Sequence, residues 1–404
     1  MATVNWSDLP EELWPIVGKF LHNRIDILRF RSVCSTWRSS RPPFQRPPPP
    51  PPLPLRFSPG AANPKNQALV FQSTIYRMEP IADNNRDGSS RSEPWLMKLE
   101  EDLSSGKMRL LHPVTCSPLR PLKLSSGSAP KMFSLLEFRV VELQKSYVLK
   151  FGKNNVRVKS ISRLVVVPCE VLEFSDVFAI FMIYDGGKIG FVRFGDKKLT
   201  RVDEQNDHYD DIIVYKGQCY VVDKWGTISW ISSGLQVIQL QMIQFSPPLC
   251  GFGERKYLVE SGGDLYVVDQ FLEKLTQGDN SVSPQNPNQD NELLLWHHGR
   301  IQQYGEAIGF KVYKLDQEWG RWVDVKDLGD DIFILSSDGS FSVSAREFGG
   351  VKGNCIFFTE GALTTGRVFY SRVFNLEDGR ISSLASSRPH THMVQPPSSW
   401  LSHD

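Results

Sequence analysis

The chain has 404 residues, of which 40% are hydrophobic, 11% aromatic and 23% charged, a composition that supports a buried core and excludes global disorder. At roughly 150 residues per domain, the length fits two or three domains, or a small module beside one large all-β unit. Forty-six Lys and Arg against 45 Asp and Glu leave a net charge of +1, which offers no electrostatic footprint for a phosphate backbone, so nucleic acid is not an expected partner.

The opening residues, MATVNWSDLPEELW, have neither the basic start nor the apolar stretch of a signal peptide. The longest clean apolar run, Val177 to Tyr184, is far short of the ~18 residues needed to cross a bilayer. The expectation is a soluble, intracellular protein of the nucleus or cytoplasm with no membrane partner. Six cysteines (Cys34, Cys116, Cys169, Cys219, Cys250, Cys355) lie 31 to 105 residues apart with no C-x-x-C pair, so they are expected to be reduced thiols rather than a disulfide framework or zinc site.

Near the N-terminus, Leu9, Leu13, Ile16, Val17, Phe20 and Leu21 recur at spacings of three and four, the stripe of a helix with one apolar face. Asp8 is placed to cap it, with Pro10 in the first turn and Glu11 set for a capping box. Pro15 falls inside the pattern and is expected to kink or split the helix. A second apolar series, Ile25, Leu28, Val33 and Trp37, is broken at Cys34-Ser35. So small a unit hides little surface by itself, which makes it a docking module with an apolar face to be covered by a partner.

Of the 27 prolines, 11 fall between Pro42 and Pro64, including the unbroken run Pro47 to Pro52. That stretch lacks the backbone donors for helix or ladder and is expected to be an extended polyproline II linker between folded units.

Beyond it the helical period disappears, and short apolar runs alternate with Gly, Asp and Asn turns, as in a sandwich, barrel or propeller. Five pairs of strands are legible: 178–184 with 189–194, 212–215 with 219–223, 257–259 with 265–269, 310–315 with 322–325, and 332–335 with 341–343. One pair of runs carries a period: GQCYVVD from Gly217 and GDLYVVD from Gly263 agree at five of seven positions, 46 residues apart. That offset matches the ~40 to 50 residues of a four-stranded propeller blade. Dividing the β region by it predicts six or seven blades. The polar stretches 82–94 and 276–292 are expected to be surface loops.

Chemistry is sparse. No P-loop, dinucleotide fingerprint, nucleophile elbow or H-E-x-x-H motif occurs. His297-His298 is the one tight histidine pair, and neighbours on a strand point to opposite faces, so it is a poor metal site. The paired acids Asp210-Asp211 and Asp330-Asp331, and the repeated Asp223 and Asp269, are expected to be turn residues at strand ends. Trp225, Trp230, Trp319 and Trp322 are expected to pack between blades. No catalytic residue, metal or cofactor is assigned.

LPEEL at Leu9 to Leu13, then Ile16, Phe20, Leu21, Asp26-Ile27, Val33-Cys34 and Trp37-Arg38, resembles the F-box consensus in order and spacing. VYKGQCYVVD, LVESGGDLYVVD, WVDVKDLGDDIFILSSDGSFSVSA, KGNCIFF and FNLEDGRIS look like plant F-box proteins of the Skp-interacting-partner type. The resemblance implies a mainly β chain: a small three-helix F-box over 4–41, a Pro-rich linker over 42–64 and a kelch-like β-propeller over 65–401. It further implies the substrate-recognition subunit of an SCF-type cullin-RING ubiquitin ligase, with no catalysis of its own. Leu9, Pro10, Leu13, Ile16, Leu21, Val33, Cys34 and Trp37 would dock on a Skp-family adaptor, and through it on cullin and RING subunits, while the propeller holds a target protein. Pro15 inside the first helix, and Ser35-Thr36 where the consensus commonly has Lys, depart from the pattern. Two other readings stay open: a propeller hydrolase, which would need unique acids converging on the propeller mouth, and an F-box protein acting outside ubiquitination.

Overall fold

The computed structural model describes residues 9–21, 24–43, 68–81, 93–102, 107–119, 138–151, 156–158, 160–168, 178–193, 196, 198–233, 240–244, 246, 253–274, 294–297, 300–316, 318, 320–361 and 369–396. Asp8, the Pro47–Pro52 run, Trp319, His298, Cys169, Cys250 and most of the two polar stretches lie outside them.

Three short helices come first: α1 (Leu13–Lys19), α2 (Arg24–Val33) and α3 (Ser35–Ser40). The first starts later than the apolar spacing suggests, with the N–H groups of Leu13 and Trp14 donating to the carbonyls of Pro10 and Glu11 at 3.0 and 3.3 Å. That start puts Pro15 in the first turn, where a missing N–H costs nothing, so the expected kink does not form. The break at Cys34 is real. Its backbone is extended at φ −157°, and its Sγ accepts the Trp37 N–H at 3.5 Å to cap α3. Ile27 is buried beneath the module. Trp37 packs on Trp14 with ring centroids 4.1 Å apart and on Phe30 at 4.7 Å. Across the bend, Arg31 donates to the Arg38 carbonyl at 2.8 Å, and Arg38 Nε donates back to the Arg31 carbonyl at 3.0 Å.

Among the described residues the strands make five sheets. Blade 1 contains β1 (Ala68–Pro80), β2 (Trp95–Asp102), β3 (Met108–Leu111), β4 (Phe138–Phe151) and β5 (Val156–Arg157), in the order β3-β2-β1-β4-β5. Blade 2 is a meander of β6 (Ile161–Pro168), β7 (Phe178–Tyr184), β8 (Lys188–Arg193) and β9 (Thr200–Arg201). Blade 3 repeats it with β10 (Tyr209–Tyr215), β11 (Gln218–Asp223), β12 (Ile228–Ser233) and β13 (Leu240–Gln244). In blade 4, β14 (Arg255–Ser261) pairs β15 (Asp264–Lys274), which pairs the long β17 (Arg300–Asp316). That strand also carries β16 (Leu294–His297) and β18 (Arg321–Val325). Blade 5 has β19 (Asp331–Ser336), β20 (Gly339–Ser344), β21 (Cys355–Gly361), β22 (Phe369–Asn375) and β23 (Ile381–Ser383), in the order β20-β19-β21-β22-β23, with β19 and β21 parallel.

The GQCYVVD and GDLYVVD echo marks equivalent strands, β11 and β15, each the second of its blade. Each follows a two-residue hairpin in which both central residues have positive φ, Lys216-Gly217 at 47° and 76° and Gly262-Gly263 at 59° and 82°, the geometry that matches the twist of a hairpin. The blade count nevertheless corrects the estimate of six or seven to five. Inner strands β6, β10 and β14 begin at residues 161, 209 and 255, close to the 46-residue step, but blade 1 alone extends from Ala68 to Arg157. Long connections inside blades 1 and 4 consume the length that a uniform division assigns to extra blades.

The blades close into a ring, as five apolar clusters show. Ala68, Val70 and Leu149 of blade 1 pack with Leu164 and Met182 of blade 2. Phe181 of blade 2 meets Ile212 and Val221 of blade 3, and Tyr215 and Val222 meet Leu258 and Val267 of blade 4. Val259 and Val268 meet Phe333 and Phe358 of blade 5, and Ile332, Ile334 and Phe357 return to Ile75 and Leu96 of blade 1. A last helix, α4 (Arg388–Val394), adds Met393 and Val394 to that closing cluster. Each fully buried aliphatic or Phe contributes roughly 1.5–3 kcal/mol of transfer free energy. Among the described residues no helix is long and apolar enough to cross a membrane.

The tryptophans divide. Trp322 packs into the cluster between blades 3 and 4 as expected, and Trp230 is half-buried beside Tyr220. Trp225 is exposed at a turn, in edge contact with His208 and with Lys224 Nζ 4.4 Å above its ring, and its backbone N–H donates to the Asp223 carboxylate at 2.9 Å.

Candidate functional site

Leu13, Ile16, Val17 and Phe20 fall on one face of α1 by their spacing. The opposite face carries Trp14 and Gly18, and those are the buried residues. The apolar stripe therefore faces outward: Ile16 is 51% and Phe20 74% exposed, with Leu13 and Val17 above a third. Leu28 and Val33 of α2 are exposed as well. Single exposed hydrophobics are ordinary, but a continuous stripe marks a surface made to be covered.

The eight residues expected at an adaptor surface separate into groups. Pro10, Leu13, Ile16, Val33 and Cys34 are exposed, whereas Leu9, Leu21 and Trp37 are half-buried. Trp37 is held in the ring cluster with Trp14 and Phe30. It also lines, with Leu21, Phe30 and Val33, a groove of about 600 Å³ whose far wall is Ile81, Phe138 and Arg139 of blade 1. Val17, Phe20 and Leu28 are exposed apolar residues outside that set of eight, although the spacing that found Ile16 also contains Val17 and Phe20. The module is seated on the propeller: Ile25 packs on Tyr76, Met78, Trp95, Phe138 and Val140, and Arg29 donates to the Phe138 carbonyl.

A second assembly of polar side chains lies on the ring axis, where β4, β6, β10, β14 and β20 pack around one another. The tip of the β19–β20 hairpin carries Asp338 into blade 1. Lys98 Nζ donates to its Oδ1 at 2.6 Å, Ser146 Oγ to its Oδ2 at 3.1 Å and Cys116 Sγ to Oδ1 at 3.2 Å. Lys98 and Asp338 are both buried. Burial alone would drive the Asp338 carboxyl up; the Lys98 ammonium and the hydrogen bonds from Lys98, Cys116 and Ser336 reverse this and hold it well below the usual carboxylate range. Burial would likewise lower Lys98, and Asp338 holds it raised. His112 accepts the Val114 and Thr115 N–H groups on Nδ1 at 3.2 and 3.3 Å. Burial, then the Lys98 charge, lowers its pKa to about 4, so it is neutral near pH 7.

The paired acids are not turn residues throughout. Asp210 and Asp211 stand in the inner strand β10 and hold β14 across the blade boundary: Asp210 Oδ2 accepts the Lys256 N–H and Asp211 Oδ2 the Leu258 N–H, each at 2.9 Å. Asp211 also faces Arg163 Nε at 2.8 Å. Burial raises Asp210 to about 7, against the lowering effect of the Lys256 N–H. Asp269 lies within β15, fully buried, 2.7 Å from Lys256 Nζ. Asp331 opens β19 and accepts Ser261 Oγ at 2.6 Å. Asp223 keeps the expected turn role, taking the Trp225 and Thr227 N–H groups at 2.9 Å. Contacts between blades place Asp210, Asp211 and Asp331, and no short sequence pattern distinguishes a strand aspartate facing a neighbouring blade from one in a turn.

Asp211 and Asp338 thus converge on one axial cavity, the feature named above as diagnostic of a hydrolase. Both are engaged by a cation and by further donors, so neither is set up as a free acid or base. Cys34, Cys116, Cys219 and Cys355 are free thiols. Among the described residues no group of three or more His, Cys, Asp or Glu could hold a metal.

Residues 68–380 match the KIB1-4 beta-propeller family. Over nearly its whole length the chain is similar to Arabidopsis thaliana F-box proteins. It is 30% identical to F-box protein At4g35733, across 96% of this chain and 95% of that one. It is 28% identical to F-box protein At2g17690 (98% and 99%) and 27% to F-box protein SKIP23 (98% and 96%). Among solved structures, the overlap with cobalt-substituted Synechocystis ACO (10% identity, 79% of this chain and 90% of that one, TM-score 0.26) is too slight to bear on fold or site. The chain belongs to the KIB1-4 β-propeller family, among plant F-box proteins with a C-terminal propeller.

Proposed function

We propose that this member of the KIB1-4 β-propeller family is the substrate-recognition subunit of an SCF-type cullin-RING ubiquitin ligase, docking on a Skp-family adaptor through its helices and on a target protein through its propeller. The observation that carries the reading is the outward apolar stripe of α1, left uncovered while Trp14 and Gly18 take the inward face. Leu9, Pro10, Leu13, Ile16, Leu21, Val33, Cys34 and Trp37 form the adaptor surface in this reading, joined by Val17 and Phe20. The ring supplies a rigid platform whose connecting loops are free to vary and to bind. This chain then contributes proximity, raising the effective concentration of target lysines near the transferring enzyme, while other subunits do the chemistry. That role carries an intracellular location, nucleus or cytoplasm.

The test is co-purification of a Skp-family adaptor and cullin with the full chain and with Ile16→Asp/Phe20→Asp. Adaptor and cullin recovered with the parent and lost with the variant support the reading. Adaptor without cullin would make it an F-box protein acting outside ubiquitination. Equal adaptor recovery with both chains would overturn the assignment of α1 as the docking helix.

A further inference from the structure

Lys98 and Cys116 both belong to blade 1, on β2 and on the turn that follows β3, and the β19–β20 hairpin brings Asp338 of blade 5 against them. Lys98 Nζ stands 3.0 Å from Cys116 Sγ and 2.6 Å from Asp338 Oδ1, and Sγ lies 3.2 Å from that same oxygen. Amine, thiol and carboxylate therefore form a closed triangle. A nitrogen held roughly 3–3.5 Å from an atom it can attack has the entropy of approach already removed. The turn fixes the sulfur in that place: Cys116 has a φ of 57°, in the left-handed region, and its N–H donates to the His112 carbonyl at 2.9 Å.

The other described thiols have different surroundings. Cys34 Sγ accepts the Trp37 N–H, and Cys355 Sγ donates to the Lys352 carbonyl at 3.6 Å. Cys219 packs in the apolar cluster between blades 2 and 3. Burial pushes the Cys219 thiol up, and that of Cys355 up to about 12, which makes both inert. Cys116 is half-buried and is followed by exposed Ser117 and Pro118. Lys98 and Asp338 are buried, so the sulfur marks the end of the triangle nearest solvent.

We propose that Lys98 and Cys116 are a peroxide-responsive modification site, at which oxidation joins Nζ to Sγ as a sulfenamide. In the first step hydrogen peroxide oxidises the thiol by two electrons, so that one thiol and one peroxide give one sulfenic acid and one water. In the second, the Lys98 ammonium passes a proton to Asp338 Oδ1 and its nitrogen attacks the sulfenic sulfur. The N–S bond forms as the S–O bond breaks, and the departing hydroxide takes a second proton from the nitrogen to leave as water. No further oxidant is needed. Charge closes as well: the site starts as a cation beside an anion and ends as a neutral sulfenamide beside a neutral carboxylic acid, so no buried charge is left alone. The link removes the ion pair by which Asp338 of blade 5 is held to blade 1, which ties oxidation to the closure of the ring.

The experiment treats the full chain with hydrogen peroxide, blocks remaining thiols with an alkylating agent and weighs the proteolytic peptides. The expected product joins the peptide containing Lys98 to the peptide containing Cys116 at a mass two hydrogens below their sum. It should separate again on treatment with dithiothreitol and be absent from Cys116→Ser. Hydrogen exchange gives a second reading: the amides of the hairpin around Asp338 are expected to lose protection in the oxidised parent and to keep it in peroxide-treated Cys116→Ser. Recovery of Cys116 from the treated parent as an alkylated thiol, or as an unlinked sulfenic or sulfinic acid, would overturn the site. A linked parent whose hairpin stays protected would overturn the tie to ring closure.

Discussion

On α1, Leu13, Ile16, Val17 and Phe20 face water, while in β11 and β15 the consecutive pairs Val221-Val222 and Val267-Val268 are wholly sealed from it. The strand valines have neighbours on both faces because each blade is covered by the next. The helix has one inward face, already filled by Trp14 against Phe30 and Trp37. The contrast extends to polar groups. The ring buries charged pairs such as Lys98 with Asp338 and Lys256 with Asp269, whereas the helical module's described pair, Arg29 with Asp26, is separated by 4.0 Å and partly exposed. A closed ring sets its tolerance for change at its interior. A docking module sets it at its partner.

Four substitutions sharpen that contrast, ordered by their expected effect on the stability of the full chain. Lys98→Met leaves Asp338 buried without its cation and is expected to cost about 3–5 kcal/mol, read as a large fall in melting temperature; adding Asp338→Leu should recover much of it. The same pair predicts acid sensitivity. A carboxyl held below its unfolded value near 4 contributes stability that is complete above that pH and lost as pH falls through the lower folded value. Lys98→Met/Asp338→Leu should therefore lose stability less steeply than the parent below pH 4. A similar acid slope in both would remove the ring's ionic closure from the account.

Trp37→Ala empties one ring from the aromatic cluster of the helical module. The expected cost is about 2–3 kcal/mol, less than for a fully buried ring, and it should appear as early loss of helical signal while the β signal melts unchanged. Simultaneous loss of both would show the module and blade 1 to be one cooperative unit through Ile25 and Arg29.

Asp210→Asn gives a smaller and opposite effect. With its folded pKa raised to about 7 and its unfolded value near 4, Asp210 favours the folded state most below about pH 4, and that contribution declines as pH rises to about 7. The amide still offers an oxygen to the Lys256 N–H without a charge. Asp210→Asn is therefore expected to raise the melting temperature above pH 7 and to lose its advantage at pH 4; a uniform gain across that window would contradict the titration.

Ile16→Asp/Phe20→Asp is expected to change stability least, within about 0.5 kcal/mol, as surface substitutions do. Its effect should fall on adaptor capture. A marked fall in melting temperature would mean that the stripe is covered by the chain itself and is no docking face.

The sequence determined by itself whatever depends on neighbours along the chain. The spacing of Leu13, Ile16, Val17 and Phe20 made an apolar helix face, and paired apolar runs with Gly turns made the hairpins. The 46-residue echo found equivalent strands in adjacent blades, because local pattern and turn chemistry act within a few residues. The tertiary structure alone decided that Pro15 is harmless, since that depends on where α1 starts. It alone set the number of blades among the described residues at five, since loop insertions carry no period, and turned the α1 stripe outward, since Trp14 competes for the inside. The roles of Asp211 and Asp338 were likewise invisible, because their partners Arg163 and Lys98 come from neighbouring blades; Asp269 meets Lys256 across the β14–β15 hairpin, a pairing that needs the strand register. Desolvation and ion pairing act through space: strand register joins Lys256 to Asp269, packing of consecutive blades joins Arg163 to Asp211, and only ring closure brings Lys98 to Asp338.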